Sequence, residues 1–135
     1  MTVTQEKSVV PVTVLQVEGR LDGSNYTKLI AEAQALFDAG NRDLVLDLSK
    51  LTYLSSAGIS ALHRVALLFQ GKRSADLEEG WAAFHAMERD RGNGMQQHVK
   101  LLDPTKEVRA ILEMVGFTSF FEIYADIQTA VSSFK

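Results

Sequence analysis

The stretch Asp43-Leu44-Val45-Leu46-Asp47-Leu48-Ser49-Lys50-Leu51-Thr52-Tyr53-Leu54-Ser55-Ser56-Ala57-Gly58-Ile59 carries the fold. Its first part is short and rich in leucine and valine, as a buried strand is. Leu51 to Leu54 continues extended. The pattern then changes period: Ile59, Leu62, Val65, Ala66 and Phe69 recur every three or four residues, on one face of a helix that begins at Ser55-Ser56-Ala57-Gly58. A strand running through a small polar turn into a helix is a unit of an α/β domain.

The same alternation spreads outward. Upstream, Val9 to Val17 is dense in valine and threonine, with both faces largely apolar, so it reads as a strand covered on two sides. Pro11 cannot donate to a ladder and belongs at the strand's start or at an edge. Thr2 to Glu6 alternates weakly and is a candidate hairpin partner. Gly19-Arg20-Leu21-Asp22-Gly23-Ser24-Asn25 is loop chemistry, with Ser24 or Asn25 able to cap the helix that follows. In that helix Tyr26, Leu29, Ile30, Ala33, Leu36 and Phe37 form a stripe, and Gly40 stops it. Downstream, Val99 to Leu102 is a strand, and Asp103-Pro104 reads as an N-cap and first-turn pair. The helix after it carries Val108, Ile111, Leu112 and Val115 and ends at Gly116. Phe120 to Tyr124 is a last strand, and Asp126 caps a final helix through Ile127, Ala130, Val131 and Phe134.

Length and composition set the bounds. The 135 residues suit one domain, 1–135, with a sizeable core. The net charge is −3 with no basic stripe, which argues against nucleic acid as a partner. The chain has no cysteine, which excludes disulfides and thiolate chemistry. No apolar run approaches the ~20 residues of a membrane span, and the N-terminus lacks a signal-peptide core, so a cytoplasmic location is expected. His63, His85 and His98 are scattered without zinc-ligand spacing. His63 lies one position beyond Leu62 and is expected to be a partly exposed helix residue. Asp43 and Asp47 flank a strand with no third ligand, so strand-end solvation is expected. No catalytic residue, metal or cofactor is implied, because no Gly-rich phosphate loop and no nucleophile with its base is present.

One segment breaks the rhythm. Gly71 to His98 is polar, with Leu77, Trp81, Phe84 and Met87 at helical spacing and glycines at both ends. It reads as an inserted helix, at about 72–97, covering some core. The functional reading of Trp81 and Phe84 is a lid or a partner-specific contact.

Four stretches in order resemble the STAS family, named for sulfate transporters and anti-sigma factor antagonists. They are Glu18-Gly19-Arg20-Leu21-Asp22, Leu44 to Ser49, Tyr53-Leu54-Ser55-Ser56-Ala57-Gly58-Ile59, and Val108 to Phe117. The resemblance implies a four- to five-stranded mixed sheet with helices packed mainly on one face. It also implies an anti-sigma factor antagonist that binds an anti-sigma factor of the histidine-kinase-like ATPase fold and so frees a sigma factor. That kinase would switch the antagonist off by phosphorylating one serine, and a phosphatase would restore it.

Carried residue by residue, the phospho-acceptor corresponds to Ser56, with Ser55 and Ser60 as fallbacks; Ser60, one turn on, should be less accessible. Asp22, Gly23, Ser24, Ser55, Ser56 and Gly58 correspond to the partner-binding surface, and Gly19 to a structural turn. The family's aspartate before the acceptor is Ser55 here, and its following hydroxyl residue is Ala57. Ser55 keeps the capping bond of an aspartate while dropping its charge. The departure and the insert both leave room for a second reading, a STAS scaffold or sensory subunit of a stress-signalling or lipid-transport assembly. Oligomeric state is left open. Replacing Ala75 to Asn93 with a short Gly/Ser linker should leave a cooperatively unfolding domain; loss of the cooperative transition in calorimetry would place Trp81 and Phe84 in the main core.

Overall fold

A computed structural model describes residues 1–7, 11–69 and 96–134. Along the chain run β1 (Thr2–Lys7), β2 (Pro11–Gln16), β3 (Gly19–Leu21), α1 (Tyr26–Asp38), β4 (Leu44–Asp47), β5 (Leu51–Leu54) and α2 (Ser56–Phe69). After 95 come β6 (Gln96–Leu102), α3 (Lys106–Met114), a 3₁₀ turn (Phe117–Ser119), β7 (Phe121–Tyr124) and α4 (Ile127–Ser132). Five strands form a mixed sheet in the order β1-β2-β4-β6-β7, antiparallel at β1–β2 and parallel elsewhere. The expected hairpin at the N-terminus and the mixed sheet are both present. Pro11 opens β2, where its missing N–H does least harm. Nearly all of the expected insert, with Trp81, Phe84 and His85, lies outside the described residues, as do Val9 and Val10; only Gln96 and Gln97, at the start of β6, fall within them.

Alternation along the strands divides the interior in two. On one face Leu15, Val17, Leu44, Leu46, Val99 and Leu101 join Leu29 and Ala33 of α1, Leu62, Val65 and Phe69 of α2, and Val108 and Leu112 of α3. Phe117, Phe120 and Phe121 close that core: Phe121 meets the other two rings edge to face at 5.3 and 4.8 Å, and Phe117 and Phe120 are tilted at 6.3 Å. On the other face Val12, Val14, Val45 and Leu102 meet Ala130, Val131 and Phe134 of the short α4 segment. Among the described residues three helices thus lie on one face and one on the other. Among the described residues no helix is long and apolar enough to cross a membrane.

Leu51 to Leu54 is extended as expected, but Gly19 to Leu21, read as loop, is a strand. β3 pairs in parallel with β5 in a separate two-stranded ladder, Arg20 opposite Tyr53 and Leu21 opposite Leu54. The Thr52 hydroxyl donates to the Gly19 carbonyl at 2.9 Å and the Gly19 N–H to Lys50 O at 2.9 Å. Gly19 has φ 71°, so the expected structural turn is there, in a backbone region that a side chain disfavours. Helix ends follow local chemistry with two corrections. Asn25 stands at the N-cap of α1, but its side chain makes no capping bond. It accepts from the Asp22 N–H at 2.9 Å and donates to Arg20 O at 2.6 Å, closing the loop back on β3. Thr105, not Asp103, caps α3: its hydroxyl accepts from the Val108 N–H, and also donates to Leu51 O at 3.1 Å. Gly40 and Gly116 lie just past their helices, and the Asp126 carboxylate accepts from the Thr129 N–H at 2.9 Å, as expected.

The sheet face under α4 holds a buried cation. Lys100, in β6 opposite Val45, is 4% exposed. Its ammonium donates to the Ser133 hydroxyl at 2.8 Å and carbonyl at 3.3 Å, and pairs with Glu122 Oε2 at 3.2 Å. The Phe134 ring centroid is 4.5 Å away. All three donors are engaged, which is the condition for a lysine to be retained inside. Glu122 is one-third exposed, so losing its partner leaves it partly hydrated. Lys100→Ala should therefore cost about 2–3 kcal/mol in urea unfolding and speed hydrogen exchange of the α4 amides, while Lys100→Met, which keeps the volume, should cost less.

Candidate functional site

β3 and β5 run side by side in the same direction, so the residues that follow them emerge together. After the pair Leu21–Leu54 come Asp22 on one chain segment and Ser55 on the other. The Ser55 N–H donates to Leu21 O at 3.0 Å and joins the two ends. From there Ser56 starts α2. The Ser55 hydroxyl accepts from the Gly58 N–H at 3.3 Å, and the Ser55 carbonyl from the Ile59 N–H at 2.9 Å. Ser55 is thus the N-cap, filling the role an aspartate would fill without its charge. Ser56 is exposed, and no acidic residue lies in the first turn.

Gly58 is set by contact. A Cβ there would stand 2.6 Å from the Leu21 carbonyl oxygen and 2.7 Å from Leu54 Cδ1. The first turn of α2 can approach the Asp22 loop only because that position has no side chain. Gly23 meets nothing of the kind; a Cβ there would point into open space.

The loop itself is tied by Asp22. Its Oδ1 accepts from the Ser24 hydroxyl at 2.6 Å and the Ser24 N–H at 2.9 Å. Those two bonds hold its carboxyl below the usual carboxylate range, and Arg20, with Nε 3.6 Å from Oδ2, acts in the same direction. The Arg20 guanidinium lies 4.5 Å over the centre of the Tyr53 ring. Tyr53 is 42% exposed, unusual for a large aromatic residue. The site therefore presents Arg20, Asp22 and Tyr53 beside Ser55 and Ser56. Sequence reasoning found the serines and Asp22 but missed the other two. The signal was available only as a pairing: Arg20 stands two residues before Asp22 and Tyr53 two before Ser55, and they meet only through the β3–β5 ladder.

Two expectations are corrected. His63 is buried, at 4% exposure, with the Phe120 ring 6.5 Å away; burial, and then Arg64, pushes it down to about 4. The stripe Ile59–Leu62–Val65–Ala66–Phe69 understates α2, which also buries Ala61, His63, Leu67 and Leu68 between its neighbours. Ser60 is exposed like Ser56, so accessibility does not separate them. Asp43 lies 3.2 Å from His98 Nδ1, and Asp47 accepts from the Ser49 N–H at 3.0 Å and the Gln16 amide at 3.3 Å. Among the described residues no group of three or more histidine, aspartate or glutamate side chains is placed to hold a metal ion.

The family pattern described as "Mlab, STAS domain" matches residues 5–77, more than half of the chain. The chain belongs to the STAS domain family. It is 30% identical over 119 residues to BtrV of Bordetella bronchiseptica, a protein named as an anti-sigma factor antagonist, covering 88% of this chain and 83% of that one. The fold is similar to that of an anti-sigma factor antagonist from Mycobacterium paratuberculosis, with a TM-score of 0.66 at 18% identity over 98% and 92% of the two chains. It is also similar to the Bacillus cell fate determinant SpoIIAA, solved in its phosphorylated form, with a TM-score of 0.52 at 14% identity over 96% of each chain. At these identities the two structures speak for the STAS fold alone. The mixed five-stranded sheet with helices mainly on one face is that fold.

Gly58→Ala tests the contact at the centre of the site. On an open helix face the change would stabilise by up to about 1 kcal/mol. Here the Leu21 carbonyl must shift, and the expected outcome is a loss of about 1–3 kcal/mol, read as a lower urea midpoint at unchanged slope.

Proposed function

We propose that this STAS domain is an anti-sigma factor antagonist, not an enzyme, working in the cytoplasm through an anti-sigma factor of the histidine-kinase-like ATPase fold. Unmodified, it binds that kinase and frees a sigma factor. Phosphorylation of Ser56 ends the complex, and a phosphatase reverses the mark. The observation that carries the reading is the placing of Ser56: exposed, first in α2, and joined through Leu21 and Gly58 to the Asp22 loop. The names of the relatives support the same reading.

The chemistry is consistent with a switch. A phosphate adds about −1.5 to −2 charge and three acceptor oxygens at one surface point. The free helix end tolerates that charge, since the macrodipole is positive there and no first-turn carboxylate opposes it. A partner surface shaped for a neutral hydroxyl must desolvate the phosphate without compensation, and the complex weakens. Asp22, Gly23, Ser24, Ser55, Ser56 and Gly58 are assigned to the surface that meets the kinase, Gly58 by letting the loop and helix touch.

Ser55, where the family has an acid, favours a second reading: a STAS scaffold or sensory subunit of a stress-signalling or lipid-transport assembly, with no phospho-switch. One assay separates the two. Wild type and Ser56→Ala are incubated with the cognate kinase and ATP, phosphate is mapped by mass spectrometry, and affinity is measured. The expected result is label on Ser56 in wild type and none in Ser56→Ala, which still binds. Ser56→Asp should bind at least tenfold more weakly, and Asp22→Ala should weaken binding without unfolding. Label on Ser55 or Ser60 would move the site. No label, from a kinase active on another antagonist, would leave the scaffold reading.

A further inference from the structure

Arg20 is poorly committed in the unmodified protein. It is 66% exposed at the side chain, and its Nε stands 3.6 Å from Asp22 Oδ2, beyond ordinary hydrogen-bond range. Asp22 does not depend on it, because the Ser24 hydroxyl and N–H already occupy Oδ1 at 2.6 and 2.9 Å. Among the described residues no hydrogen bond is made by its two terminal nitrogens. What Arg20 does have is orientation. The Tyr53 ring lies under its guanidinium at 4.5 Å, which restrains the side chain without using any of its donors.

The ladder sets where that fork sits. Arg20 pairs with Tyr53 and Leu21 with Leu54, on strands about 4.8 Å apart. The Arg20 side chain reaches forward along β3 toward Asp22. Asp22 stands level with Ser55, whose N–H is bonded to Leu21 O, and Ser56 is the next residue. A guanidinium is suited to bidentate contact with phosphate oxygens, and a dianion outcompetes a carboxylate that is already hydrogen-bonded elsewhere.

We infer that Arg20 is the built-in receptor for a phosphate on Ser56, moving from its loose contact with Asp22 to a fork-to-phosphate pair when that serine is modified. The inference rests on the reading of Ser56 as the phosphorylated residue. It adds a second consequence to the modification. The guanidinium that faces Asp22 is drawn off that carboxylate, so phosphorylation changes the partner-facing surface at Arg20 and Asp22 as well as at Ser56.

The test needs no kinase. The full chain is made with phosphoserine installed at position 56, and the second ionisation of the phosphate is followed by ³¹P NMR against pH. The same is done in Arg20→Gln and in Arg42→Gln. Arg42 carries the same charge at the far end of α1, where it donates to Phe37 O at 2.8 Å, and thirteen helical residues put it about 20 Å away. Circular dichroism confirms that each variant is folded.

Arg20→Gln should raise the phosphate pKa by about half a unit to one unit, and Arg42→Gln should leave it within about a tenth. Arg20→Lys, which keeps the charge but not the fork, should restore part of the difference. Equal values in wild type and Arg20→Gln would overturn the inference and assign the phosphate to the helix end or to water. Equal shifts from both glutamine variants would overturn it too, as a net-charge effect. Neither result touches the phosphorylation of Ser56, which the kinase assay decides by itself.

Discussion

The carbonyl of Leu21 is the point on which the site depends. It accepts the Ser55 N–H at 3.0 Å and lies where a Cβ on Gly58 would have to be. One oxygen therefore sets both the end of β5 and how near the first turn of α2 comes to the loop after β3. Neither strand of this small ladder is long enough to stand alone. β3 has three residues and β5 four, and they are held by their mutual pairing, by Thr52 on Gly19 O and by Thr105 on Leu51 O. The exposed Ser56 and Arg20 are placed by that backbone joint, and half-buried Asp22 ties the loop beside it through Ser24.

The larger sheet supplies the rigidity beneath it. Val99 and Leu101 of β6 point to the face covered by α1, α2 and α3, and Lys100 and Leu102 to the face covered by α4. A cation on the second face is tolerated because α4 is followed by a carbonyl and a hydroxyl on Ser133 that accept hydrogen bonds from it, and β7 brings Glu122. That arrangement ties the C-terminal segment to the middle of the sheet, while the site lies on the other core's helices.

Local chemistry was legible wherever it was self-contained. Ser55 accepts from the N–H three residues on, Asp126 does the same, and Gly40 and Gly116 stop their helices. It misled where a nearby group competed. Asn25 has the right type and position for a cap, but the Asp22 N–H and the Arg20 carbonyl claim its amide. Asp103 yields to Thr105, which caps α3 and binds β5 with one hydroxyl. His63 sits beside an apolar stripe, and periodicity alone left it partly exposed; Phe120, fifty-odd residues away, buries it.

By itself the sequence determined the alternation of strands and helices, the division of β2 into two apolar faces, the ends of most helices and the serine at the start of α2. Those features depend on residues within a turn or a few positions of one another, and their period and type can be read without knowing what lies opposite. Only the tertiary structure decided that Gly19 to Leu21 is a strand, that Arg20 stacks on Tyr53, that Gly58 has no room for a methyl group and that Lys100 is enclosed. Each of these depends on at least one contact between segments separated by more than thirty residues. A contact of that kind has no period and no local signature, because its energy comes from two surfaces that the chain brings together only when the sheet has formed.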